Sequence, residues 1–398
     1  MFPDRRRTLL RITDGAGRVA PWLFCAAMVA GQAPATLQDT VGRLGDFDYT
    51  VRMEASRTIR RADPAVVAPI LRDAAAGHSD SYVQFRSVVL LYGLEGERAR
   101  SVFDDALDHS NDRVRAAAYE YFEQFPSAAV VPTLLAALDS ETSEFVQPYL
   151  VRALAASDET AEVRRRLTRD IDQGQGYFRG AVIEALGDFR AVYAVDPLLR
   201  IAADEGPLRD DALLALGKIG DRRALDTLSR AQTEADERFQ PVVSAAACLL
   251  RVDCENQVGY IIEALNYAAQ SSDDQAQELL RNATTGLGAL ASAGDRRALT
   301  ALFEAGISAP DPARAPIAIA LGMVAFRNPT VVREALHDAS ATGLPVDELL
   351  LLRDAFDLLD EDFAEERFYV LMRGDYWAAD DDSTSQVVAE RAIAILEF

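Results

Sequence analysis

Cys248 and Cys254 are the only cysteines beyond position 25, and they are the first residues whose spacing could carry chemistry. A zinc site would need a second Cys-x-x-Cys set, which the chain lacks. Aligning Leu249 with Leu216 places Cys248 on the core position of Ala215 and Cys254 on the capping position of Asp221. Both cysteines then line one turn. In an exported protein a disulfide there would close a small loop and contribute roughly 2 kcal/mol in the chain-entropy account. The alternative is two unlinked thiols, one buried and one at a turn.

The other candidates are weaker. His78, His109 and His337 are the only histidines, and they fall beside turns far apart in the chain, so no metal centre is expected from them. Asp375 and Asp380 to Asp382 lack the spacing of a helix-loop-helix calcium motif and read as a solvated acidic loop. Tyr376 and Trp377 beside them read either as a partner anchor or as packing of a terminal cap. Arg164, Arg165 and Arg166 are the densest basic run after the N-terminus. They would form a binding patch on one helix, or an exposed face whose aliphatic stems cover apolar neighbours. No nucleophile elbow and no phosphate loop following a strand is present. No catalytic residue, cofactor or metal is therefore expected.

The elements that must position these residues are helices. Asp210 to Leu228 (DDALLALGKIGDRRALDTL) reads as helix, turn, helix, and Gly294 to Leu299 repeats its GDRRAL turn 74 positions after Gly220. Leu154, Leu186, Leu216, Leu249, Leu290 and Leu321 mark one register along the chain. About nine paired apolar segments follow one another from Tyr49 to Ala339, and Val346 to Leu359 with Phe363 to Met372 adds another. Gln270 to Asp274 (QSSDD) reads as a lengthened loop inside the widest interval. Gly374 to Ser385 reads as an acidic loop before a capping helix from about Gln386. Gly187, Gly217 and Gly322 each follow Ala-Leu inside a helix, which predicts close helix packing. Gly220 and Gly294 predict left-handed helix ends, with Asp221 and Asp295 capping the next helix.

Composition narrows the class. Hydrophobic residues at 49% supply a long core, while a net charge of −22 and a pI near 4.6 argue against nucleic-acid binding. Lys218 is the only lysine. Arg5 to Arg7, the apolar run Val19 to Ala30 and Ala33-Pro34-Ala35 follow the order of a secretory signal, with cleavage expected after Ala35; Arg6-Arg7 leaves the twin-arginine route open. The run is too short to span a bilayer, so no stable membrane span is expected after cleavage. The alternative is a mispredicted start or a disordered tail before a cytosolic protein. Residues 1–35 carry five arginines against Asp4 and Asp14, which leaves residues 36–398 at −25.

The run A-L-G-K-I-G-D-R-R-A-L from Ala215 to Leu225 resembles a HEAT repeat of the short type found in bilin lyases, and the resemblance extends over about residues 36–372. It implies an all-α, right-handed α-α superhelix of nine to ten hairpins whose second helices line a concave face used for binding other proteins. Iron-holding members of this kind use His-Glu dipeptides, whereas Ser79, Ser110 and Asp338 follow the histidines here. The resulting expectation is a non-enzymatic, exported scaffold that binds a protein or peptide on that face, the acidic surface suiting a basic one. The alternatives are an enzyme or enzyme subunit of the bilin-lyase kind, or a structural spacer between envelope components.

Overall fold

Asp63-Pro64 shows how a hairpin of this chain is made. The Asp63 carboxylate accepts from the Ala65 amide at 2.9 Å, and Pro64 takes the first helical position, where its missing donor costs nothing. A computed structural model describes residues 36–271, 273–340, 343–359, 362–379 and 383–396. The export segment with its expected cleavage after Ala35, and Asp380 to Asp382, lie outside the described residues. The described residues are all-helical and form ten successive hairpins.

After a short α1 (Leu37–Gly42), the pairs are α2 (Tyr49–Arg61) with α3 (Pro64–Gly77), α4 (Ser81–Glu95) with α5 (Arg100–Ala106), and α6 (Asp112–Gln124) with α7 (Val131–Ser140). Next come α8 (Gln147–Ala156) with α9 (Ala161–Asp170), α10 (Gly176–Asp188) with α11 (Val195–Ala203), and α12 (Arg209–Ile219) with α13 (Leu225–Glu234). The array continues through α14 (Gln240–Leu249) with α15 (Cys254–Ala269), α16 (Asp274–Ser292) with α17 (Arg296–Ser308), and α18 (Asp311–Arg327) with α19 (Pro329–Ala339). It ends in α20 (Val346–Leu359) with α21 (Asp362–Ala378), followed by α22 (Thr384–Leu396).

Successive first helices, from α4 through α20, pack side by side, whereas successive second helices touch little. The first helices therefore form the inner wall and the second helices the outer one. This corrects the expected arrangement, in which second helices line the concave side. The cause is the distribution of small residues. A Cβ added at Gly187 would meet Ala215 Cα at 2.8 Å, one at Gly217 would meet Ala246 Cα at 2.7 Å, and one at Gly322 would meet Leu359 Cδ1 and the Ala355 backbone. Backbone contact of this kind brings inner helices closer than the second helices can follow.

Three further expectations change. The extra length of the interval that holds Gln270 to Asp274 lies in α15 and α16, of 16 and 19 residues, rather than in a lengthened loop. Gly374 to Ala378 is the last turn of α21 rather than a loop. Burial of Phe368, Tyr369 and Met372 and an ion pair from Arg333 to Asp375 hold that end in place. The last hairpin also does more than cap. Glu366 on α21 is buried against Arg60 of α2, which donates to it from Nε at 3.0 Å and lies 4.5 Å over the Tyr369 ring. Phe363 stacks on Tyr92 at 4.3 Å, and Arg373 donates to the Gly93 carbonyl at 3.1 Å. The two ends of the array meet, α21 on α4, and the solenoid closes on itself.

The turn chemistry follows the sequence. Gly220 and Gly294 adopt φ of 79° and 99°, the Asp221 side chain accepts from the Arg223 amide, and Asp295 accepts from Ala298. Two glycine-to-alanine substitutions test this description with opposite signs. Gly217→Ala should destabilise by about 1–3 kcal/mol, since its Cβ meets backbone. Gly374→Ala, open on all sides inside α21, should stabilise by roughly 0.5–1 kcal/mol. Urea denaturation checks both, and destabilisation at Gly374 would restore the loop.

Candidate functional site

Because the inner helices run alike, their C-terminal ends converge on one side of the ring. They enclose a cavity of about 680 Å³ lined by Glu123 of α6, Arg152 of α8, Asp188 of α10, Lys218 of α12 and Arg327 of α18, among others. Cations suit this place, since the last turns of helices present unpaired carbonyls and the negative end of the dipole.

Asp188 is the hub. It accepts from Arg152 Nη1 at 2.7 Å and from Lys218 Nζ at 2.7 Å, and it is paired with Arg327 as well. Arg152 also grips Glu123 through Nε and Nη2 at 3.0 and 2.7 Å, and Arg327 donates to Glu184 at 2.7 Å across 143 positions of sequence. The aromatic faces of Phe189 and Phe326 lie 5.4 and 5.7 Å from the Arg152 guanidinium. Five helices are thus tied through charge at the ring centre. A second cavity of about 350 Å³ opens at the N-terminal ends of α10 and α12, lined by Tyr177, Glu184, Asp211 and Lys218. Lys218 lines both cavities, so the charged layer lies between them.

The electrostatics follow from burial and crowding. Arg327, with Lys218 and Arg152 behind it, holds the Glu184 carboxyl down to about 2. Burial lowers the Lys218 amine, and burial together with Arg152 pushes Arg327 down to about 10. Burial, then Glu184 and Asp210, pushes Asp211 up to about 6.

The sequence candidates are dispersed by comparison. Cys248 and Cys254 do share one turn at the cavity wall, with Cα atoms 4.1 Å apart and the sulfurs at disulfide distance. Asp295 lies beside them, one of its oxygens within 4.8 Å of both sulfurs. The register differs by two residues from the expected one. Gly217 packs on Ala246, and Arg251 takes the left-handed place of Gly220, so Cys248 corresponds to Gly217 rather than to Ala215.

Arg164, Arg165 and Arg166 sit on α9 in the outer wall. Arg164 lies over the Tyr193 ring, Arg166 pairs with Asp139 and Asp170, and Arg165 is exposed. Tyr376 is half-buried and Trp377 is 78% exposed against its ring. His78 and His109 each accept from the backbone amide two residues on, bracing turns, and His337 contacts Ser385 and Asp375. Sequence reasoning missed the hub residues. One signal was available, since the sole lysine directly follows the packed glycine of the clearest repeat.

The pH behaviour separates two carboxyls of this site. A raised carboxyl opposes folding once ionised, so Asp211 costs stability as pH rises from about 4 through 6. Glu184 does the reverse, contributing stability that is lost as pH falls through about 4.5 toward 2. Asp211→Asn should raise the melting temperature by about 1–2 °C at pH 7.5, the effect being screened by solvent, and leave it unchanged at pH 4. An equal shift at both pH values would contradict the raised carboxyl.

Residues 208–233, within the Asp210 to Leu228 hairpin and its flanks, match the family described as PBS lyase HEAT-like repeat. No curated protein matches the chain. That match falls on α12 and α13, one hairpin among the ten that the described residues form, and it supports a HEAT-like repeat for this hairpin.

Proposed function

We propose that this chain is a non-enzymatic scaffold, exported through residues 1–35, that binds a basic segment of a protein on its outer wall. The inner wall is closed around its charged layer, so an extended protein segment finds its surface on the second helices. The observation that supports this reading is the outer face of α15. Tyr260, Glu263 and Tyr267 share that face at helical spacing, with the two tyrosines 38% and 65% exposed. Glu255 and Glu263 are exposed on the same helix, and Glu237 lies close enough to Tyr260 to act, after burial, in raising its hydroxyl pKa. Tyrosine faces flanked by carboxylates suit arginine and lysine side chains, through cation–π contact and charge-assisted hydrogen bonds. The net charge of −25 on residues 36–398 would steer such a partner in.

Affinity capture with the purified chain should enrich a basic protein. The enrichment should fall between 50 and 300 mM salt and disappear with Tyr260→Ser/Glu263→Arg/Tyr267→Ser. Enrichment that survives the triple substitution would exclude α15 as the binding face.

A further inference from the structure

Three inner helices end in the same turn. After α10 the Ala191 amide donates to the Leu186 carbonyl, after α14 the Val252 amide donates to Ala247, and after α16 the Asp295 amide donates to Leu290. Each is a Schellman-type end, and its left-handed residue is Arg190 (φ 53°), Arg251 (φ 64°) and Gly294 (φ 99°) respectively. Glycine is the residue that adopts this conformation without a Cβ penalty. Twice the chain carries arginine there instead, and both arginines line the 680 Å³ cavity. A non-glycine residue held in left-handed backbone is an observation that points to function.

The charge at these positions is uncommitted. Arg152, Lys218 and Arg327 are ion-paired with Glu123, Asp188 and Glu184, whereas Arg190 and Arg251 form no ion pair among the described residues. Arg367 of α21, also lining the cavity, donates to the Phe326 carbonyl at 3.0 Å. The one further carboxylate in the lining, Asp295, is engaged as the cap of α17. The cavity lining thus carries six cations against Glu123, Asp188 and Asp295 in a chain whose net charge is −22. Its volume is that of a small-molecule site.

We propose that this cavity binds a small polyanion whose carboxylate or phosphate groups are held by Arg190, Arg251 and Arg367 beside the Arg152, Lys218 and Arg327 layer. Guanidinium forks match both oxyanions bidentately, and the paired layer beside them keeps the site from collapsing. The site is separate from the α15 face and stands without it.

Titration calorimetry of the full chain with citrate and with pyrophosphate in 50 mM NaCl tests the site. Saturable one-to-one binding of citrate identifies a carboxylate ligand, and of pyrophosphate a phosphate ligand. Arg190→Gly/Arg251→Gly should weaken either at least tenfold. The ligand-free melting temperature of that variant should equal or exceed the parent's, because glycine suits the left-handed turn, so lost binding cannot be ascribed to unfolding. No saturable heat with either anion at 10 mM, or undiminished affinity in the double variant, would overturn the proposal.

Discussion

A buried guanidinium–carboxylate pair, Arg60 with Glu366, joins residues 306 positions apart, and the rest of the structure depends on the contact it secures. An open solenoid leaves its terminal units with one neighbour each, and its stability is a sum over neighbours. Setting α21 against α4 supplies a neighbour to both ends. Two ions withdrawn from water repay their desolvation only with good geometry and further partners. Here the Tyr369 ring lies over the guanidinium, and Gly93 leaves room for the carboxylate, which any Cβ at that position would strike. Closure also decides the inside and the outside. The inner wall faces only itself, and polar groups placed there must find partners across the ring.

The packing glycines make such closure possible. Gly187, Gly217 and Gly322 let neighbouring inner helices meet backbone to backbone, and the resulting difference in spacing between the walls curves the array. Curvature in turn brings the C-terminal ends of α8, α10, α12 and α18 within reach of one another. Arg152, Lys218 and Arg327 can then share Asp188, which no local sequence relation would predict. The cavity at that layer, lined by Arg190 and Arg251 as well, is a product of the ring as a whole rather than of any single repeat.

What could be read from sequence follows the range of each interaction. Hairpins, caps such as Asp221 and Asp295, left-handed Gly220 and Gly294, and the close-packed glycines are set within a few residues of one another, and they appear in the structure as expected. The end of α21 was hidden because Gly374 and its acidic neighbours carry loop signals, while the buried stripe of Phe368, Tyr369 and Met372 decides for helix. The Cys248 turn was misaligned by two residues because Ala247 holds the place of Leu216 while Leu249, two positions on, offers the leucine mark, and backbone contact with Gly217 fixes the register. The hub and the closure lie 143 and 306 positions apart in sequence, and no periodicity reports them.

A double-mutant cycle at Arg60 and Glu366, using Arg60→Met and Glu366→Leu with stability measured by chemical denaturation, tests closure most directly. The closed ring predicts single substitutions costing about 3–5 kcal/mol, because each strands a buried charge, and a coupling of about 2–3 kcal/mol between them. Additivity to within about 0.5 kcal/mol would show that the two residues do not meet, and would reopen the solenoid.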